Sequence, residues 1–92
     1  MDNRRPTTPG WVLREIMKTH SITHALVSAM GVSRFRVNDI VNNKRSVTPE
    51  SALLLGKALG TSGEFWMRLQ ADVDLFDARK KLGKKIDGVV CL

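Results

Sequence analysis

THALVSAMGVSRFRVNDIVN, from Thr23 to Asn42, is the stretch whose reading decides the fold. Leu26, Val27 and Met30 fall at helical spacing, so its first half reads as a short helix with one apolar face. Gly31 follows directly, where a helix most often ends in a residue of positive φ. Ser33 is then placed to cap a second helix by accepting from a backbone N–H of its first turn. That helix carries Val37, Ile40 and Val41 on one side. Its other side shows Arg34, Phe35, Arg36, Asn38, Asp39 and Asn42. Two short helices joined by a tight glycine turn form a helix-turn-helix, whose second helix enters the DNA major groove.

The rest of the chain bounds that reading. Its 92 residues fit one small domain, and a 42% apolar fraction is enough for a small core. The formal charge of +6 suggests a polyanionic partner, though many soluble domains are basic. One cysteine, Cys91, excludes an internal disulfide framework and fits a reducing, cytoplasmic setting. The opening MDNRRPTTPG has charge but no apolar run behind it, so it does not read as a signal peptide. No apolar stretch approaches the roughly 20 residues that span a bilayer, so no membrane partner is expected.

Residues 1–7 read as a flexible arm carrying Arg4 and Arg5. Thr8 followed by Pro9 is a helix start, a capping hydroxyl before a first-turn proline. It predicts a first helix over 9–19, with Val12, Leu13, Ile16 and Met17 as its apolar face. A second helix follows over 23–30 and a third, the recognition helix, over 34–42. Asn42 to Ser46 form a loop. Thr48 and Pro49 repeat the cap-and-proline signal, with Glu50 suited to the helix dipole, and the fourth helix runs to Leu59 before Gly60. Its core face is Ala52, Leu55, Gly56 and Leu59, with Gly56 allowing a close helix approach and Leu54 pointing elsewhere.

Ser62 caps a long fifth helix over 63–82. Phe65, Trp66, Leu69, Val73 and Phe76 make one apolar stripe, expected to face the first and fourth helices. Met67, Ala71, Ala78 and Leu82 make a second on a different side. A surface helix needs one buried stripe, so the second is either a homodimer interface or tolerated surface. Arg79 to Lys85 is a basic helix end. The tail at 83–92 has β-branched residues and is where a short strand is expected.

Arginine can donate twice to a guanine edge and asparagine can pair with adenine, so Arg34, Arg36, Asn38 and Asn42 are candidate base or phosphate contacts. Lys44 and Arg45 suit phosphates, as do the hydroxyls of Ser28 and Ser33. Phe35 reads either as a contact to a thymine methyl or groove edge, or as partly buried against Leu26 or a neighbouring helix. His20 and His24 are four apart, but a break separates them and no third ligand is near, so no metal site is assigned. Asp72, Asp74 and Asp77 lack the glycine turn and final glutamate of a calcium loop and read as a solvated face. There is no glycine-rich phosphate loop, cysteine pair or His–Asp–Ser set. No enzyme activity and no cofactor are expected.

Four motifs carry a resemblance. They are PG at Pro9 and Gly10, MGVSR at Met30 to Arg34, VNDIVNNKRSVTPESAL at Val37 to Leu53, and LGTSGEFWMRLQADVDL at Leu59 to Leu75. Over Pro9 to Asp77 the chain resembles the HigA-type antitoxins of bacterial toxin–antitoxin modules, small helix-turn-helix proteins of the Xre class. The last motif lies outside the general DNA-binding unit and separates this family from other repressors. The chain departs from the family pattern at Thr8, where histidine is usual, at Val27, often alanine, and at Gly63, commonly proline.

The resemblance implies an all-α, five-helix, lambda-repressor-like domain. It implies a homodimer that represses its own operon at a palindromic operator. It also implies a partner toxin, a RelE-like mRNA-cleaving ribonuclease, which the residues of this chain do not themselves reveal. The alternatives are a stand-alone phage-type repressor without a toxin, and a protein-interaction module that has lost DNA binding. The cationic cluster around the third helix argues against the last.

Overall fold

The computed structural model describes residues 4–92, so positions 1–3 of the expected arm lie outside the described residues. Five α-helices follow one another: α1 (Pro9–His20), α2 (Thr23–Met30), α3 (Arg34–Val41), α4 (Pro49–Leu59) and α5 (Gly63–Leu82). A 3-10 segment, Gly83–Gly88, completes the chain's regular structure, and the described residues contain no strand. The fold is therefore all-α.

The helix boundaries follow from local chemistry. The hydroxyls of Thr8, Ser33, Thr48 and Ser62 each accept a hydrogen bond from a first-turn N–H, those of Trp11, Arg36, Ser51 and Phe65. Thr48 and Ser51 cap reciprocally, since Ser51 Oγ accepts from the Thr48 N–H at 2.9 Å. Gly31 and Gly60 end α2 and α4 with φ of 66° and 71°, a region that costs an L side chain energy. α1 ends on Ser21, which takes the same conformation at φ 51° without being glycine.

The core forms where the helices' apolar faces meet. Leu13, Val37, Ile40, Leu55 and Trp66 are fully buried, with Met17, Leu26, Met30, Val47 and Ala52 around them. Each such large side chain contributes about 1.5–3 kcal/mol on burial. α5 packs chiefly on α4 and also touches α1. The indole N–H of Trp66 donates to Thr61 Oγ1 at 2.8 Å, so its burial strands no donor. Gly56 permits the close approach expected of it: a β-carbon there would lie 2.7 Å from the Ser62 carbonyl carbon.

Three expectations need correction. α4 is flanked by both α2 and α5, so its covered surface is wider than one stripe. Leu54 is half-buried against the core, and Leu53 is the leucine left outside, 63% exposed. Burial on α5 centres on Trp66, Gln70 and Val73. Phe65 therefore lies at the rim, 42% exposed, edge-on to the Trp66 ring at 5.2 Å. The tail is not a strand. Gly83, at φ 53°, ends α5, and the described residues offer no strand edge for the following β-branched residues to pair with.

Of the proposed interface stripe, Ala71, Ala78 and Leu82 are exposed, while Met67 is half-buried against the core. Arg5 is held against α5 by two hydrogen bonds to the Asp77 carboxylate, at 3.1 and 2.9 Å. The hydrogen bond from Arg5, helped by its charge, holds the Asp77 carboxyl below its ordinary range. No helix among the described residues is long and apolar enough to cross a membrane.

Candidate nucleic-acid interface

α3 is locked at both ends. Ser33 Oγ accepts from the Arg36 N–H at 3.2 Å, which leaves its own O–H free to rotate toward an acceptor. At the far end Asn43 takes φ 60°, a conformation asparagine tolerates better than most residues. The N–H of Lys44 reaches back to the Asp39 carbonyl at 2.8 Å and that of Asn43 to the Ile40 carbonyl at 3.1 Å. This pair of bonds is a Schellman closure. It turns the chain sharply, so that Lys44 and Arg45 stand beside the end of α3.

Rotation of about 100° per residue sorts the side chains of α3. Val37 and Ile40 point into the core. Arg34, Phe35, Asn38 and Asn42 fall within one exposed arc. Phe35 is 82% exposed, which decides its two readings in favour of the outer surface. Arg36 is turned about 160° away from Asn38 and is half-buried, so it does not join that arc. The expected single polar side is thus two: a central row around Arg34 and Asn38, and Arg36 on the flank.

Around this row, Lys44, Arg45, Ser28 and Ser33 are exposed. Arg45 lies 3.9 Å from the Asp39 carboxylate, a loose exposed pair that leaves most of its guanidinium available. Asn42 is not free in the way the sequence suggests. Its Oδ1 accepts from Arg14 Nη2 on α1 at 3.3 Å. Sequence reasoning missed Arg14, because a contact between residues 28 apart leaves no local signal.

Two further residues set the frame. A β-carbon on Gly10 would overlap the Ile40 carbonyl oxygen and lie 2.9 Å from that of Val41, so glycine lets α1 dock on the end of α3. Gln70, which is buried, accepts from the Val47 N–H through Oε1 at 2.8 Å and donates to Asp74 through Nε2 at 2.9 Å. The 42–48 loop is thereby pinned to α5. The arrangement offers a convex cationic helix with rigid ends, suited to a groove lined by phosphates, and donors able to reach base edges.

No family model matches the chain. Curated relatives do. It is 40% identical over 80 residues to antitoxin HigA-1 of Vibrio cholerae, covering 85% of this chain and 75% of that protein. It is 36% identical over 81 residues to the HTH-type transcriptional regulator YbaQ of Escherichia coli, covering 86% and 72% respectively. Among solved structures, the HigA-family addiction-module antidote of Coxiella burnetii superposes with a TM-score of 0.86 at 37% identity. That match covers 97% of this chain and 99% of the other. The Pseudomonas aeruginosa antitoxin HigA, solved with the higBA promoter, matches with a TM-score of 0.84 at 38% identity over 95% and 97% of the two chains. These relatives are antitoxins and DNA-binding regulators rather than enzymes. With identity and coverage at this level along nearly the whole domain, the chain belongs to the HigA-type antitoxins, helix-turn-helix regulators of the Xre class.

Proposed function

We propose that this protein binds an operator palindrome as a homodimer, represses its own operon, and neutralises a RelE-like mRNA-cleaving ribonuclease toxin. The observation that carries the DNA half is the exposed row of Arg34, Asn38 and Asn42, flanked by Lys44 and Arg45 on a capped helix. Support comes from relatives of the same fold: the P. aeruginosa HigA structure holds its promoter, and antitoxin GraA has been solved with its operator. In this reading Arg34 and Asn38 read base edges. Lys44, Arg45, Ser28 and Ser33 hold phosphates, and Arg36 reaches one strand from the flank. Two half-sites lie about one helical turn apart, roughly 34 Å, as a two-fold dimer requires.

Replacing Arg34 by alanine tests it. Operator affinity should fall by about 1–3 kcal/mol with relaxed preference at one base position, while Lys44→Ala should weaken all sequences alike. Binding should also weaken steeply with salt as phosphate contacts release counterions. An Arg34→Ala, Asn38→Ala double variant that shifts operator DNA at wild-type concentrations would assign recognition elsewhere.

The toxin half rests on family membership and on the names its relatives carry. α1, the arm and the tail are the surfaces proposed for that contact. Co-expression with the neighbouring gene decides it: a neighbour harmless alone, or still toxic beside this protein, leaves a stand-alone repressor. The homodimer is assigned to α5 through Met67, Ala71, Ala78 and Leu82. Ala71→Glu should give a folded monomer with much weaker operator binding, because an unpaired charge is costly to bury.

A further inference from the structure

Asn42 stands at the end of the exposed row on α3, and its carboxamide is already engaged. Arg14 Nη2, on α1, donates to Asn42 Oδ1 at 3.3 Å. A guanidinium has donors and no acceptor, so the amide atom turned to Arg14 has to be the oxygen. This fixes an orientation that an asparagine side chain ordinarily leaves open. Nδ2, which can only donate, is then the end of the amide turned away from α1.

The docking of α1 puts Arg14 there. Arg14 lies one turn beyond Gly10 on the same face of the helix. Gly10 is where α1 meets the end of α3, since a β-carbon there would overlap the Ile40 carbonyl oxygen. Leu13, next to Arg14, is fully buried. The backbone that carries Arg14 is thus held on both sides, while its side chain stands in solvent. Among the described residues no carboxylate pairs with Arg14.

The engagement changes what Asn42 can read. A bidentate pair with adenine asks one amide to accept from N6–H and donate to N7 along the same edge. With Oδ1 turned to α1, the accepting half of that pair is missing. The donating half remains, and it suits a purine edge made of acceptors alone. In the major groove that edge is guanine, with N7 and O6. As a letter in the sequence Asn42 suits adenine, and the contact from α1 reverses the preference.

We infer that Arg14 is a positioning residue that sets base specificity: by holding Asn42 Oδ1 it presents Nδ2 to the groove, so that Asn42 selects guanine over adenine. This rests on the proposed entry of α3 into the major groove. It adds the base that Asn42 takes, and a residue outside the helix-turn-helix that decides it.

The test uses the full-length protein and a randomised duplex DNA library, which yields the preferred site. Competition binding with every single-base variant of that site follows. Asn42→Ala identifies the position by flattening the base preference there. Wild-type protein should favour guanine over adenine at it by about tenfold, as a good side-chain pair with a base edge does. Arg14→Lys can still only donate and should keep that preference. Gln can donate or accept, so Arg14→Gln frees the amide to turn over. Arg14→Gln and Arg14→Ala should both lose the preference for guanine, while positions read by Arg34 keep theirs. Loss of a charge weakens all sequences alike, so the ratio between bases reports the positioning role and affinity does not. Arg14 is exposed, and thermal melts of the variants should match wild type.

An unchanged ratio in both Arg14→Gln and Arg14→Ala would overturn the inference, as would an adenine preference in the wild type. Equal loss in Arg14→Lys and Arg14→Gln would overturn it too, because donor-only chemistry would then decide nothing. An Asn42→Ala variant that weakens all sequences equally would place the amide on phosphate and have the same consequence. In each of these cases, relaxed base preference in Arg34→Ala leaves the major-groove reading standing. A library that yields no preferred site would overturn both.

Discussion

Gly10 lies directly against the Ile40 carbonyl oxygen, in space that a β-carbon would fill. The contact joins the first turn of α1 to the last turn of the proposed recognition helix, so its tightness sets how α3 is presented. The obstacle is backbone, which cannot swing aside as a side chain can. Gly10→Ala should therefore cost about 1–3 kcal/mol as overpacking. Urea denaturation measures the loss. Gly31→Ala makes a useful contrast: nothing lies within 4 Å of its added carbon, and its φ of 66° alone should cost about 1–2 kcal/mol.

Ser33 separates stability from binding. Ser33→Ala removes the acceptor for the Arg36 N–H and should cost about 1 kcal/mol of stability. Ser33→Asp keeps the cap and suits the helix dipole, so thermal stability should hold. It also places a carboxylate where a phosphate is proposed to sit. Operator affinity should fall more for Asp than for Ala, the reverse of the stability order, as paired melting and gel-shift measurements would show.

Gln70→Leu keeps the size of a buried side chain and removes the acceptor for the Val47 amide. A buried N–H left unpaired costs about 1–3 kcal/mol. Amide exchange at Val47 should accelerate beyond the change in global stability, since the loop loses its tie.

The Asp77 carboxyl is held below its ordinary range by the hydrogen bond and charge of Arg5. A group lowered in the folded state adds stability above its unfolded pKa, and that stability is lost as pH falls through the lowered value. The contribution is thus present at neutral pH and vanishes only in acid, below about pH 4. Both partners stand in solvent, so screening keeps it small. Asp77→Asn should leave the melting temperature at pH 7 nearly unchanged and release Arg5 from α5, seen as faster backbone motion of the arm by NMR relaxation.

How much of this was written in the sequence depends on the range of the interaction. Thr8-Pro9, Ser33, Thr48-Pro49 and Ser62 mark helix starts through bonds spanning three residues, and α1 to α5 begin and end within a residue of where such signals put them. The faces are less legible. In the run Leu53 to Leu55, periodicity against one neighbour leaves Leu54 outside, but α4 has neighbours on two sides and leaves Leu53 out instead. On α3, Arg34 and Arg36 look equivalent as letters, and the helix turns them apart. Contacts between distant residues left no trace at all: Arg14 with Asn42, Gln70 with Val47, and Arg5 with Asp77. The close approach at Gly10 is a middle case, since the PG pair is visible while the carbonyl it meets is not.

The bond from Val47 to Gln70 also limits how this molecule can be switched. It bolts the loop bearing Lys44 and Arg45 to the helix proposed to join two copies. Turning or sliding α5 within its own protomer would strand a buried amide at a cost of about 1–3 kcal/mol, so the outer helix is coupled to the surface proposed to face DNA. In a dimer joined as proposed, a protein arriving on α5 would reshape that surface only against this cost. It would act at less cost by parting the two proposed readers, by changing the distance between them, or by blocking their approach to DNA. Control of that kind alters occupancy of the whole palindrome at once and leaves the choice of bases within each half-site untouched.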